Sequence, residues 1–392
     1  MNISAEVENS TGEGNSRMAQ QKISGHRKKI RKKKKIVFLP YKASMWDSME
    51  SIWQAAKADK ENCRTYVMPL PYREASTGKW YCELELFPDY VPVIDCRKTN
   101  LAALQADIIY IHNPYDGENT LTSVAAEYYS GELRKYTKQL IYVPYFVAGN
   151  YLEPGFASVP GVLNAHHVVV ESDQVKGWYE QHYRKYCQQH QIAPDENKFL
   201  ALGSPKFDKV RSSNPEDFSI PKEWQQTLRG RKAVLFNTTL AATKLHRNVF
   251  LAQLRYVFQV FQCQEEFVLW WRPHPFLMTM LRIEQPETFK MYQDLVGQYR
   301  QAGWGIYDDS AELNRAISCT AAYYGDYSSV VYLYQETGKP VVIQSFSSAA
   351  KNCMYMTIDR FLLGFSMLRH QRSQAELPAA WHFVQGKQII FY

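Results

Sequence analysis

Ala321-Ala322-Tyr323-Tyr324-Gly325-Asp326-Tyr327-Ser328-Ser329-Val330-Val331 reads as a short apolar strand, a tight polar turn and the start of a helix. The Gly relaxes the backbone, the Asp can cap, and two hydroxyls sit where a helix presents unpaired N–H groups. Two readings stand for this turn. It is an ordinary N-cap, or it is a site for phosphate oxygens, because backbone donors and helix dipole both favour an anion there.

Working outward, apolar strands alternate with helical patterns along the chain. In the first half, strands are expected at Ile36–Leu39, Arg64–Leu70, Asp107–Ile111, Gln139–Val143, His167–Val170 and Phe199–Leu202. Helical spacing covers Met45–Ala58, Leu121–Leu133 and Ser172–Gln189. A linker is expected at about 210–230, where Ser212-Ser213-Asn214-Pro215 and Ile220-Pro221 break the pattern. The second half repeats it, with strands at Ala233–Phe236, Phe267–Trp271, Gly305–Tyr307, Ala321–Tyr324 and Val341–Ile343. Such alternation predicts an α/β protein with parallel sheets covered on both faces. The expected organisation is a basic disordered leader at 1–35, one α/β domain at 36–210 and a second at 211–350. Helices at 351–392 would pack back on the first. Two doubly wound, Rossmann-like sheets facing each other would place their strand C-termini on a shared cleft.

The formal charge of +7 is concentrated at one end. Residues 1–35 hold ten Lys/Arg and three Glu, and the remainder is neutral with 36 of each sign. A basic block beside a neutral body suits an anionic membrane surface, through residues 27–35, or a solubilising tail. Nucleic acid is not expected as a partner, because the folded part carries no net positive charge. The seven cysteines have irregular spacing and no Cys-x-x-Cys pair, which argues for reduced thiols and against a metal site. No apolar run approaches the ~18 residues of a membrane span, and the basic run does not precede a signal-peptide core. The expected place is cytoplasmic, peripheral on the inner face of the cell membrane. No cofactor is expected: neither a Gly-x-Gly-x-x-Gly opening a helix nor a P-loop occurs.

Four strand-end loops of the second half carry the chemistry: Asn237-Thr238-Thr239, Arg272-Pro273-His274-Pro275, Asp308–Asn314 and Gly325–Ser329. Hydroxyls, an Arg and a His together stabilise negative charge, and Arg272 can hold two phosphate oxygens. His274 stands between two prolines and can donate to a diphosphate. The candidate ligand-binding residues are therefore Arg272, His274, Asp326, Ser328, Ser329, Asn237 and Thr238.

Arg272-Pro273-His274-Pro275, Asp309–Asn314, Gly325–Val330 and Gly338-Lys339-Pro340-Val341 together resemble the CDP-glycerol glycerophosphotransferase family, the teichoic-acid primases and polymerases. Gly203-Ser204-Pro205-Lys206-Phe207-Asp208 resembles that family's Gly-x-Pro-x-x-Asp element, so the likeness runs from about 140 to 345. It implies a GT-B fold whose second domain holds the CDP part of a CDP-glycerol or CDP-polyol donor, with His274, Ser328 and Ser329 on the diphosphate. It implies transfer of glycerol phosphate to a lipid-linked glycan or polymer end, releasing CMP. The family's general base is a His in a Trp-His-Gly-Thr-like loop. The corresponding stretch here, Tyr142-Val143-Pro144-Tyr145-Phe146, has no His. His112 and Asp116, after the preceding strand, are the candidate bases in its place; their other reading is a strand-end cap and a turn. A nucleotide-sugar glycosyltransferase of the same fold and a non-catalytic CDP-binding member remain as alternatives.

Overall fold

The apolar runs pair into two parallel sheets in the computed structural model, which describes residues 32–344 except 76, 120, 150–151 and 246–248, together with Leu362. The leader up to residue 31 and the helices expected around 357–370 lie outside the described residues, Leu362 excepted. In chain order the first nine strands are β1 (Lys34–Leu39), β2 (Cys63–Val67), β3 (Tyr72–Glu74), β4 (Trp80–Tyr81), β5 (Ala106–Ile111), β6 (Thr122–Val124), β7 (Thr137–Tyr142), β8 (His167–Val170) and β9 (Phe199–Ala201). Five follow: β10 (Lys232–Thr238), β11 (Phe267–Pro273), β12 (Ile306–Tyr307), β13 (Ala322–Gly325) and β14 (Val341–Ile343).

The first sheet runs β2-β1-β5-β7-β8-β9 and the second β12-β11-β10-β13-β14. All pairings in both are parallel. Period-2 burial explains why the strands read as unbroken apolar runs. Val37 and Leu39 enter one core while Ile36 and Phe38 enter the core on the other face. Val234, Phe236, Leu269 and Trp271 likewise oppose Leu235, Val268 and Trp270 across the second sheet. Each sheet is covered on both sides, as parallel sheets require.

Each sheet has one place where successive connections leave in opposite directions. In the first it lies between β1 and β5, and in the second between β10 and β13. The crevice outside such a switch point is where ligands of open α/β sheets bind. The turn after β13 therefore stands at the one position in its sheet that topology favours.

Contacts between the halves come from segments that follow strand ends. Asn314 Nδ2 of the second half donates to Asp47 Oδ2 of the first at 3.2 Å, and Lys206 Nζ, also of the first half, lies 2.6 Å from the same oxygen. Val147, beyond β7, is buried in the core of the second half. Gly149 has a positive φ of 64° and abuts Tyr332, so that a Cβ there would collide with the ring. These residues and the Lys33–Ile343 strands and helices lie within one compact unit.

Three expectations need correction. The pattern at Leu121–Leu133 is not one helix. Thr122–Val124 pairs antiparallel with β3 in a small third sheet, and helix proper covers only Ser130–Leu133. A β-branched Thr and Val suit the strand, and Val124 gains burial there. The stretch expected as linker contains helices at Pro205–Ser212 and Lys222–Leu228. The first strand begins two residues early: Lys34 and Lys35 pair with Cys63 and Arg64, so the end of the basic run belongs to the sheet.

Gly325 is required by proximity. A Cβ there would sit 2.4 Å from the Asn237 carbonyl oxygen and 2.8 Å from its nitrogen, both backbone atoms of the neighbouring strand. Gly325→Ala should therefore lower stability by about 1–3 kcal/mol, read from the urea midpoint; an unchanged midpoint would show that β10 and β13 can separate freely.

Candidate active site at the strand ends

The crevice at the β10–β13 switch point is built by side chains that tie loops together. Asp326 is buried, and its Oδ2 accepts from the Thr239 amide at 2.6 Å and from Thr239 Oγ1 at 3.0 Å. Its Oδ1 accepts from Gln344 Nε2 at 2.7 Å. One carboxylate thus joins the segments after β10, β13 and β14. Asn237 does the same toward β11: Nδ2 donates to the Arg272 carbonyl at 2.9 Å, and Oδ1 accepts from Ser328 Oγ at 3.1 Å. Thr238 is buried and accepts from Trp271 Nε1.

These contacts change several sequence-based assignments. Asp326, Asn237 and Thr238 shape the crevice from behind, since their polar atoms are already engaged. Arg272 is not free to take phosphate. Its guanidinium pairs with the fully buried Asp308 at 2.8 Å and donates to the Ser310 carbonyl at 2.7 Å. Ser328 is the N-cap of the Ser329–Gln335 helix, with its Oγ accepting from the Val330 amide at 3.2 Å. The helix has only seven residues, so the turn's claim as a ligand site rests on its place at the switch point.

His274 and Ser329 remain available. The His274 amide donates to the Thr238 carbonyl at 2.8 Å, extending the β10–β11 pairing by one residue. Its Nδ1 accepts from the Phe276 amide at 3.2 Å. A nitrogen that accepts carries no proton, so the neutral ring holds its proton on Nε2 as a donor. Burial lowers the His274 pKa, which keeps the ring neutral at physiological pH. Ser329 is exposed at the first position of its helix.

The first sheet's strand ends are arranged differently. His112 follows β5 at the β1–β5 switch point and is completely buried. Its Nε2 accepts from the Tyr41 amide at 3.0 Å, so Nδ1 carries the proton and donates to Ser48 Oγ at 2.9 Å. Ser48 Oγ in turn donates to the Met45 carbonyl at 2.7 Å. Burial drives the His112 pKa down to about 3, with smaller opposing effects of Asp47 and Lys206. Asp116 accepts from the Ser130 amide at 2.8 Å and from Ser130 Oγ at 2.7 Å. Burial raises its pKa against those hydrogen bonds. Both side chains therefore do structural work: His112 plugs the switch point and Asp116 caps the Ser130–Leu133 helix. Both ring nitrogens of His112 are engaged, and each Asp116 oxygen accepts one hydrogen bond from Ser130.

One strand over, a small crevice opens between the loops after β7, β8 and β9. Glu171, Tyr179, Pro144, Phe146 and Ser204 line it. Its interior narrows to room for about one water-sized group. Glu171 was missed by sequence reasoning. The signal was present: a carboxylate directly ends the apolar strand His167–Val170 and precedes the helix cap Ser172. Among the described residues, no group of three or more His, Cys, Asp or Glu is placed to hold a metal ion. No helix among them is long and apolar enough to cross a membrane.

The description "CDP-Glycerol:Poly(glycerophosphate) glycerophosphotransferase" matches residues 178–364. Over these residues the chain is similar to the CDP-glycerol glycerophosphotransferase family. The matched span holds all five strands of the second sheet. The match begins after β8, so the strand ends carrying His112, Asp116 and Glu171 precede it.

Among solved structures, a putative UDP-N-acetylglucosamine 2-epimerase from Listeria monocytogenes aligns with a TM-score of 0.54 and 11% identity, over 86% of this chain and 88% of its own. Another UDP-N-acetylglucosamine 2-epimerase aligns at 0.50 and 11% identity, over 82% and 80%. The wall teichoic acid polymerase TagF aligns at 0.46 and 12% identity, over 82% and 72%. At these identities the likeness to the epimerases speaks to fold alone, and the fold is GT-B. No curated protein sequence matches the chain.

His112 makes a pH prediction. Its folded pKa lies below the ordinary 6.5, so its contribution to stability is complete above pH 6.5 and is lost as pH falls toward 3. The loss approaches about 1.4 kcal/mol per pH unit in that window. His112→Gln should be less stable at pH 7 and should flatten the profile between pH 6.5 and 4, as measured by urea unfolding. An unchanged acid slope in the variant would assign the slope to another group.

Proposed function

We propose that this glycerophosphotransferase takes glycerol phosphate, or a similar polyol phosphate, from a CDP-activated donor. The acceptor is a hydroxyl at the end of a lipid-linked glycan or growing polymer, in synthesis of a teichoic-acid-like cell-wall glycopolymer. The observation that carries this reading is that the family match spans the β10–β13 switch point, where ligands of open α/β sheets bind. In this reading residues 211–350 bind the donor and residues 36–210 present the acceptor.

The acceptor oxygen attacks the β-phosphorus, and the bond to the bridging oxygen breaks as CMP leaves. The negative charge that gathers on phosphate oxygens is met by His274 Nε2–H, Ser329 Oγ and the amides at the turn. These groups are neutral donors fixed by their neighbours, so catalysis comes from positioning and preorganised electrostatics. Asn237, Thr238, Asp326 and Ser328 hold that geometry, and Arg272 fixes the His274 loop by its pairing with Asp308. Lys32, Lys33 and the basic residues before them hold the enzyme at an anionic membrane face, at about 1 kcal/mol per basic residue near the surface.

A donor screen with CDP-glycerol, CDP-ribitol and UDP-sugars should release CMP from a CDP-polyol. Release of UDP would identify a nucleotide-sugar glycosyltransferase, and CDP-polyol binding without turnover a non-catalytic member. His274→Ala should weaken CDP-glycerol binding by about tenfold or more, the worth of one hydrogen bond to a charged group. Unchanged affinity in a folded variant would remove His274 from the donor site. The full chain should sediment with anionic vesicles while a chain lacking residues 1–31 should not; equal sedimentation would refute the membrane role of the leader.

A further inference from the structure

His112 has both ring nitrogens engaged and Asp116 does not line the crevice beside β8, so the acceptor side needs a carboxylate at that opening to receive the proton of the attacking hydroxyl. The crevice beside β8 holds one. Glu171 follows β8 directly, at the C-terminal edge of the first sheet. Its Oε1 accepts from the Gly149 amide at 2.6 Å and its Oε2 from the Ala148 amide at 3.0 Å. A carboxylate oxygen has two lone pairs, so this clamp leaves acceptor capacity on both oxygens. The side chain is largely buried but lines the crevice. Burial raises its pKa, with the two amides opposing. That shift brings its proton affinity closer to neutrality, where a general base works best.

Tyr179 supplies a second, independent observation. It is buried to 1% exposure, lines the same crevice and interacts electrostatically with Glu171. Its hydroxyl has no hydrogen-bond partner among the described residues. A buried hydroxyl left unpaired is costly, and here it borders a space of one water-sized group beside a carboxylate. That pairing suits a single hydroxyl group of a ligand, with its hydrogen toward the carboxylate and its oxygen near the phenol. The crevice also lies toward the donor half. Gly149, held by Glu171, abuts Tyr332 on the helix that Ser328 caps. Tyr332 in turn hydrogen-bonds Tyr327, next to Ser328.

We propose that Glu171 is the general base of the acceptor site: it takes the proton of an acceptor alcohol held in this crevice with Tyr179. The inference rests on the glycerophosphotransferase reading above. In the step, the O–H bond of the acceptor breaks and its proton passes to the Glu171 carboxylate. The freed oxygen pair forms the new bond to the β-phosphorus, and the electrons of the broken P–O bond leave with CMP. Proton release to solvent then restores the carboxylate.

The test uses the full chain with CDP-glycerol as donor and glycerol or short oligo(glycerol phosphate) as alcohol. CMP release, CDP-glycerol affinity by calorimetry and thermal stability are measured together. Glu171→Gln should lower CMP release by about 10²-fold or more while donor affinity stays within about twofold. That substitution brings an amide near two backbone N–H groups and could disturb the 148–149 loop. Tyr179→Phe guards against that, because it removes an oxygen that has no partner among the described residues. It should leave stability unreduced and lower CMP release about tenfold at subsaturating alcohol. Wild-type rates in both variants would overturn the proposal. So would a Glu171→Gln protein that loses stability with rate while Tyr179→Phe keeps full rate, which would mark Glu171 as a loop clamp alone. A wild-type protein that binds no CDP-glycerol and releases no CMP would overturn the functional reading and this one with it; the first two outcomes leave the functional reading standing.

Discussion

The Asp326 carboxylate sits where three strand ends of the second sheet must be held apart and yet in register. Connections leave the sheet in opposite directions at β10 and β13. Asp326 stands at this point, receiving the Thr239 amide and hydroxyl on one oxygen and the Gln344 amide group on the other. Its burial demands that every lone pair be used well, because an unpaired buried carboxylate is expensive. Gly325 lets β13 approach the Asn237 backbone closely enough for this to happen. Asn237 then extends the same network to β11 through the Arg272 carbonyl and to Ser328. What remains at the crevice lip, His274 and Ser329, is positioned by this frame.

The two sheets use their switch points differently. In the second sheet engaged polar groups fill the switch point, and His274 and Ser329 stand beside it. In the first, the imidazole of His112 fills the corresponding gap and joins the loops after β1 and β5. Burial that removes the charge from His112 also removes it as a proton acceptor near neutral pH. The opening on that side moves one strand further, to the crevice of Glu171 and Tyr179. The halves meet through Asp47, Lys206 and Asn314 and through the contact of Gly149 with Tyr332. All of these residues follow strand ends, so the loops of the two sheets share one neighbourhood.

Much of this was legible in the sequence. Unbroken apolar runs alternating with helical spacing gave the parallel sheets, because a strand buried on both faces cannot show a polar alternation. The helix expected over Ser172–Gln189 stands at Asp173–Gln189, with Ser172 as its N-cap. Leu121–Leu133 was misread because its apolar residues fall at helical spacing, while β3, nearly fifty residues earlier, supplies the pairing that wins. Arg272 illustrates the limit for sites. Its residue type suits a phosphate, but Asp308, 36 positions on, already holds it. No local pattern reports whether a polar side chain has been engaged by a distant one.

The sequence by itself determined the α/β class, the position of the turn at Gly325–Ser329 and the family likeness of residues 178–364. Those follow from local spacing and residue type, which act within a few positions of the chain. Only the tertiary structure decided which polar groups are committed and which are free. It turned Asp326, Asn237 and Arg272 into a frame, sealed His112, and placed Glu171 beside Tyr179. The reason is physical. Burial and hydrogen-bond satisfaction depend on what the rest of the chain brings within about 3 Å, and that distance is fixed only when the sheets close.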